Sequence, residues 1–327
     1  MNYSGSIRNS MLVATNGDKN QEDTWIVTSY FNPCRYRTRR ENFELFAANL
    51  RAIGAKLFVV ELAIEGGAFE LPLPTHGLRI MCGSKLWQKE RMLNLAIERL
   101  PSDCRKVVWL DCDLMFEDPN WLVSTSQALE TYAVLQPFSE CIRLEQGEKP
   151  QTVTTPYPES CESFARAYAR DPRLSQTAPF AAHGHTGFAW AARRDIFDEV
   201  GLYDACLTGS GDHLMAHVFA GALQSPCIGA MLGDGHAYAR HFQLWAKKMD
   251  KQCAGNLGHI EGRLFHLWHG NEENRRYRDH NTVFRSFDFD PARDIKIGLE
   301  GLWEWTETAG GMQDWAETML QSRREDG

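Results

Sequence analysis

Apolar positions along the chain recur at two spacings, and each spacing predicts an element. Trp25-Ile-Val-Thr-Ser29 is a short β-branched and aromatic run stopped by Asn32-Pro33, as a strand and its turn would be. Over residues 38–53, Phe43, Phe46, Leu50 and Ile53 recur at three- and four-residue steps, an amphipathic helix with Gly54 placed to end it. Residues 56–62 (KLFVVEL) are almost continuously apolar, the mark of a strand covered on both faces. Gly66, Gly67, Pro72 and Pro74 predict a loop. Ser84 is then a candidate cap for a second helix reaching about Leu100, with Leu93, Ala96, Ile97 and Leu100 on one face. Val107-Val-Trp-Leu110 predicts a buried strand running into Asp111-Cys-Asp113. Asp118-Pro119 reads as the cap and first-turn proline of the next helix, and residues 133–138 as a further strand.

Strands alternating with helices predict a parallel sheet with helices on both faces. Ligands of such sheets gather at the carboxyl ends of the strands, where Ser29-Tyr30 and Asp111-Cys-Asp113 fall. Residues 139–182 are polar, proline-bearing and poorly periodic, so they read as a long functional loop. Periodicity resumes near Gly187, with a helix expected over 193–200 and another from Asp212 to about Gly221. The last eighty or so residues are rich in His, Arg and Trp and only weakly periodic.

The composition narrows the class. With 327 residues, 43% apolar and 24% charged, the chain can bury a large core in about two units or one extended α/β domain. A net charge of −8 argues against a partner made of nucleic acid. No apolar run approaches the roughly 18–20 residues of a membrane span, and residues 1–23 are polar without a signal-peptide core. Nine cysteines, an odd number without CxxC spacing, read as reduced thiols and so predict a cytoplasmic protein.

Several constellations carry chemistry. Asp111-x-Asp113 at the end of a buried strand could hold a divalent cation, because two carboxylates desolvated beside apolar residues need a cation or good hydrogen bonds. Asp288-Phe-Asp290 repeats the triplet in a polar tail, where a capping or turn role is the better reading. Gly209-Ser-Gly-Asp212-His213 delivers an acid to a helix start, either as a cap or as a general base at a close-approach turn. His266-Leu-Trp-His269 offers imidazoles to a metal, and Arg275-Arg-Tyr-Arg278 is either a diphosphate clamp or a solvated basic patch. His213-x-x-x-His217 has the i,i+4 spacing of zinc sites but lacks the glutamate of HExxH, so packing or acceptor contact is the favoured reading. The tryptophans at 245, 268, 303 and 305 could stack on sugars, although core packing is the commoner fate.

Taken in order, these pieces resemble a family. The apolar strand, Asp111-Cys-Asp113 and the following Leu-Met-Phe-Glu-Asp-Pro look like the DxD motif of GT-A glycosyltransferases. Gly184-His-Thr-Gly-Phe-Ala-Trp-Ala-Ala-Arg193-Arg-Asp-Ile-Phe197 resembles that family's glycine-led strand closing in Arg-x-x-Phe, and Val200-Gly-Leu-Tyr-Asp204 is similar to the V-G-x-(F/Y)-D after it. Gly209-Ser-Gly-Asp212 sits where family 2-like, β-1,4-galactosyltransferase and polypeptide GalNAc-transferase chains carry Gly-Gly-Glu-Asp or Gly-Gly-Glu-Asn.

The resemblance implies a Rossmann-like GT-A fold, with a mixed, mostly parallel sheet flanked by helices. Its catalytic domain would span residues 24–270, with a nucleotide-sugar half at 24–138, an acceptor half at 183–270 and a C-terminal extension over 271–327 packing on it. It also implies a metal-dependent transfer from a nucleoside-diphosphate sugar, with UDP expected, to a carbohydrate or other hydroxyl acceptor, and an inverting outcome. Asp111, Asp113 and His266 or His269 would hold Mn²⁺ or Mg²⁺. Asp212 would take the acceptor proton, and Lys89, Arg275 and Arg278 would meet the phosphates, Lys89 having ribose as its other possible contact. Thr28, Tyr30 and Asn32 would line the nucleoside pocket, with Tyr30 or Phe31 on the base. Glu61 stands where the family has an aspartate. Residues 139–182 and Trp190 would shape the acceptor side. Two other classes remain open on the residues alone: a metal-dependent phosphoester or nucleotide-sugar hydrolase, and a non-catalytic sugar- or nucleotide-binding protein.

Overall fold

Alternation of apolar strands and amphipathic helices in the first half of the chain builds the sheet from its middle outwards. The computed structural model describes residues 22–153, 160–177, 182–253, 255–275 and 277–327. The chain runs through β1 (Thr24–Phe31), α1 (Arg37–Ala52), β2 (Leu57–Ile64), β3 (Gly77–Cys82), α2 (Lys89–Glu98), β4 (Lys106–Leu110) and the short β5 (Leu114–Phe116). Next come α3 (Trp121–Ala128), β6 (Val134–Gln136), β7 (Glu140–Arg143), β8 (Ser160–Glu162), α4 (Phe164–Arg170), α5 (Leu174–Thr177) and β9 (Ala189–Arg193). The second half holds α6 (Gly211–Phe219), α7 (Pro226–Leu232), α8 (Ala237–Cys253), β10 (Leu257–His259) and β11 (Arg263–His266). It closes with α9 (Tyr277–Arg285), α10 (Pro291–Asp294), β12 (Ile295–Ile297), β13 (Trp303–Trp305) and α11 (Gly311–Ser322).

The main sheet has seven strands in the order β10-β6-β9-β4-β1-β2-β3, all neighbours parallel except β9, which runs antiparallel to both β4 and β6. A second sheet, β5-β11-β7-β8, stands beside it, and β12-β13 form a hairpin. The sheet is thus mixed and mostly parallel, as the family resemblance implied; element order alone predicted its parallel part. Side chains alternate across the main sheet as strand geometry requires. Val27, Val107, Trp109 and Trp190 enter the core shared with α2, α6 and α8, while Ile26, Val108, Leu110 and Ala191 enter the core shared with α1 and α3. Trp109, Trp190 and Phe219 form an aromatic centre with ring separations of 5.2–6.4 Å. Phe284, Phe289, Leu302 and Met319 of the last third join that core. Among the described residues no helix is long and apolar enough to cross a membrane.

Several elements differ from expectation, each for a local reason. β3 was hidden inside a loop, because only Ile80 and Cys82 of its six residues are buried. The second helix starts at Lys89 rather than after Ser84, whose hydroxyl instead receives the Trp305 N–H at 3.4 Å. Asp118 accepts from Asn120 N in a turn preceding α3, so it does not cap the helix itself. Residues 139–182 are not one loop: their described part contains β7, β8, α4 and α5. Nor do residues 193–200 form an α-helix; β9 ends at Arg193 and a 3₁₀ turn covers Arg194–Phe197. The alanines of β9 favour helix locally, but its position between β4 and β6 overrides that preference. Asp290 caps α10 through Ala292 N at 3.0 Å and Asp288 takes a left-handed φ of 51°, the capping and turn roles expected there.

Candidate active site

Register decides what meets at the sheet's edge. Thr28 of β1 pairs with Leu110 of β4, so the residues after both points emerge side by side. On the other side of β4 the ladder with β9 continues one step beyond Leu110, with Asp111 N donating to Phe188 O at 2.9 Å. Phe188 holds a positive φ of 78°, unusual for an aromatic residue, and its ring stacks on His185 at 3.9 Å. A cleft of about 780 Å³ opens there, lined by Asp111, Asp113, Lys89, Asp212, His266 and His269 among others. Six residues from four separate chain segments thus share one cavity.

The two DxD carboxylates face different partners. Asp113 turns to the histidines brought by β11, which pairs antiparallel with β5 and sets His266 opposite Leu114. Asp113 Oδ2 lies 3.0 Å from His269 Nε2, Asp113 Oδ1 3.8 Å from His266 Nε2, and the two Nε2 atoms are 3.1 Å apart. The three donors lie within 4.8 Å of one another. Burial opposes ionisation of Asp113, but His269 and His266 outweigh it and hold the carboxyl well below the usual range. Asp113 Oδ1 is buried with no hydrogen-bond partner among the described residues, an orphaned acceptor aimed into a nest of imidazole nitrogens. Carboxylate plus two imidazoles is a donor set that fits a divalent cation.

Asp111 is outside that cluster. Its Oδ1 lies 2.6 Å from Lys89 Nζ, and the same ammonium lies 3.0 Å from Asp212 Oδ2. Burial raises Asp111 to about 6 against the pull of Lys89. Lys89 itself is pushed upward, because the two carboxylates overcome its desolvation. Asp212 reaches this point from the first turn of α6, entered through Gly209 at φ 83°. Gly211 has no room for a side chain: a Cβ there would lie 2.6 Å from Glu90 Oε1. Glu90 is raised to about 8 by burial, and its Oε2 has no hydrogen-bond partner among the described residues.

Other expected residues lie elsewhere. Thr28 is fully buried and donates to Leu110 O at 2.8 Å. Tyr30 is 1% exposed and donates to Glu70 at 2.6 Å, which leaves its ring no face for a base. Asn32 donates to Tyr36 O at 2.9 Å and to Glu70 at 2.8 Å. Glu61 binds Arg79 at 3.1 Å and accepts from the Leu71 N–H at 2.9 Å, a buried strut between β2 and the chain beyond it. Tyr30, Asn32 and Glu61 border a separate cavity of only about 50 Å³; Ser29 and Phe31 are the β1 residues that line the large cleft. The side chains of Arg275 and Arg278 lie outside the described residues. Trp190 belongs to the core rather than to an acceptor wall, and Trp245 and Trp303 donate to the backbone carbonyls of Gly201 and Asp204, each at 2.8–2.9 Å.

Sequence reading missed the support behind the histidines. Arg39 of α1 binds Glu325 at 2.9 Å, Arg323 binds the same carboxylate at 2.6 Å, and Glu325 Oε2 lies 3.8 Å from His269 Nδ1. Burial opposes the charge on Glu325, but Arg39, Arg323 and His269 hold its carboxyl well below the usual range. Trp87, Arg143 and His185 also line the cleft. No periodicity or motif marks Trp87, Arg39, Arg323 or Glu325, and Arg39 and Glu325 meet only through the fold; His185 lies inside the Gly184-His-Thr-Gly stretch and Arg143 inside residues 139–182.

No protein-family profile matches the chain, and no curated protein matches it. Among solved structures it is similar to a mutant Drosophila β-1,4-galactosyltransferase 7 in complex with manganese, UDP-galactose and xylobiose, at 11% identity and a TM-score of 0.31. That match covers 59% of this chain and 59% of the other, so the chain spans little more than half of that relative's length. It is also similar to glucosyl-3-phosphoglycerate synthase from Mycobacterium tuberculosis in complex with Mn²⁺, UDP-glucose and phosphoglyceric acid, at 10% identity and a TM-score of 0.40 over 90% of this chain and 92% of that one. At these identities and scores the likeness is remote.

Proposed function

We propose that the protein is a metal-dependent glycosyltransferase that moves a sugar from a nucleoside-diphosphate donor, UDP-sugar first, to an acceptor hydroxyl with inversion. One observation carries this reading: a metal-type donor set and a separate lysine-bridged carboxylate pair open onto the same cleft at the carboxyl ends of β1 and β4. The first suits a diphosphate with its cation, and the second suits the acceptor's proton and the phosphate's charge. Asp113, His266 and His269 would hold the cation, and their mixed carboxylate–imidazole set suits Mn²⁺ better than Mg²⁺, which prefers oxygen. Such a cation supplies charge neutralisation for the departing diphosphate.

The remaining chemistry belongs to the chain. Asp212 accepts the proton of the acceptor hydroxyl as its oxygen bonds to the anomeric carbon and the carbon–oxygen bond to the diphosphate breaks. Lys89, already between Asp111 and Asp212, is within the cleft to meet the β-phosphate. Phe31 offers the ring for the base that Tyr30 cannot. The nine free cysteines suit a reducing compartment, and we place the enzyme in the cytoplasm.

A thermal-shift panel of UDP-, GDP-, CMP- and dTDP-sugars, each with Mn²⁺, Mg²⁺ or EDTA, tests the reading. A ligand at a hundred times its dissociation constant adds about 2.7 kcal/mol, enough to raise the midpoint by a few degrees. A stabilisation by one nucleotide sugar that EDTA removes is expected, and Asp113→Ala should abolish it while leaving the fold cooperative. Flat curves throughout, or an unchanged shift in Asp113→Ala, overturn the donor assignment.

A further inference from the structure

On one side of the cleft, reaching it through His183 and His213, lies a second convergence of metal-type ligands that the transfer reaction does not use. His183 precedes β9, His213 and His217 sit one turn apart on α6, and Cys227 lies in the first turn of α7. All four are buried, and their donor atoms lie within 4.8 Å of one another. We infer that His183, His213, His217 and Cys227 form a structural zinc site.

Distances argue for it first. In a tetrahedral zinc centre with bonds of about 2.0–2.1 Å to nitrogen and about 2.3 Å to sulfur, neighbouring nitrogens are separated by about 3.3 Å, and nitrogen and sulfur by about 3.6 Å. Here His213 Nε2 and His217 Nε2 are 3.2 Å apart, and His183 Nε2 and Cys227 Sγ are 3.6 Å apart. Ring orientation argues for it independently. His217 Nδ1 donates to Ser175 O at 3.0 Å and His183 Nδ1 to Gly184 O at 3.0 Å, while His213 Nδ1 faces Thr186 Oγ1 at 3.5 Å. The outer nitrogens meet carbonyl or hydroxyl oxygens and the inner ones converge, which is the outer-shell pattern that orients metal-bound histidines.

The chemistry selects the ion and its role. Three imidazoles and a thiol form a nitrogen–sulfur set, suited to zinc and poorly suited to the oxygen-seeking magnesium. Four protein donors complete a tetrahedron and leave no open position, so the ion holds structure rather than substrate. It would tie α6, α7 and the His183 segment together at the cleft, whose lining includes His183 and His213 beside His185, Thr186 and Gly187. Asp212 is the residue before His213, so the same ion would fix the helix start that presents the acid. The site stands on its own geometry and survives failure of the transferase reading.

Metal analysis of the purified full chain, followed by cobalt replacement, tests the site. One zinc per chain should remain after dialysis against EDTA at neutral pH. The cobalt form should show visible bands of tetrahedral geometry and a thiolate-to-cobalt charge-transfer band. Cys227→Ser should remove that band, and Asp113→Ala should retain it. A wild-type chain that holds no zinc and gives no thiolate band with cobalt overturns the proposal without recourse to any variant. So does a band that survives Cys227→Ser or disappears in a folded Asp113→Ala chain.

Discussion

Lys89 bridges Asp111 and Asp212, and that placement makes two roles for Asp212 separable. As a base it acts only on the acceptor proton, so Asp212→Asn should leave donor affinity near normal and cut turnover by on the order of a hundredfold. Calorimetric donor titration alongside initial rates checks this; a parallel loss of donor affinity would make Asp212 an anchor for Lys89 instead. Glu90, the next residue along α2, makes a pH prediction. Its carboxyl is raised by burial from 4.5 to about 8, so the native chain keeps a proton there that the unfolded chain releases. The stabilisation is complete below about pH 4.5 and is lost as pH rises through about 8, with a slope near 1.4 kcal/mol per pH unit for one proton. Subtracting the denaturation profile of Glu90→Gln from that of wild type should isolate this falling slope. A difference profile flat between pH 5 and 8 would mean that Glu90 is ionised in the fold.

At the scale of elements, α6 starts where it does because Gly211 lets its backbone lie against Glu90. Gly211→Ala should cost about 1–3 kcal/mol by overpacking and lower turnover as well, because Asp212 is the next residue. Removing the Glu90 side chain in the same protein should recover part of the loss, a coupling that chemical denaturation of the four-member cycle measures. The same contact shows where the sequence stops being legible. The Gly209-Ser-Gly-Asp212 turn could be read from its residues, but the need for a glycine at 211 lies in a carboxylate on another helix. β1, β2 and β4 were legible because strands covered on both faces are continuously apolar. β9 was legible only through the family resemblance, since Ala-Trp-Ala-Ala carries no strand periodicity of its own and is held between β4 and β6. Asp113, His266 and His269 could be picked as ligand types, and the β5–β11 register that gathers them could not. His213 and His217 announce themselves by spacing, whereas His183 and Cys227 are 44 residues apart and reach each other only through the fold.

Across the whole molecule, the last residues close onto the first helix. Asp326 accepts from the N–H groups of Arg37 and Thr38 at 3.0 and 2.8 Å, capping a helix that lacks a cap of its own. Glu325, 286 residues from Arg39 in sequence, neutralises it in the interior while facing the outer nitrogen of His269. This one carboxylate therefore joins tertiary closure to the metal-type cluster, and Glu325→Gln should disturb both. Leaving Arg39 and Arg323 buried without their shared anion should cost on the order of 3 kcal/mol. Loosening the histidine's orientation should weaken cation affinity by about 10–100-fold. Because the folded environment holds the Glu325 carboxyl well below its ordinary 4.5, the wild-type contribution is intact at neutral pH and is lost as pH falls below about 4.5. Denaturation and Mn²⁺ titration at pH 7 measure the two effects separately. A destabilised variant with unchanged Mn²⁺ affinity would make Glu325 a brace between α1 and the segment after α11, with no part in holding His269.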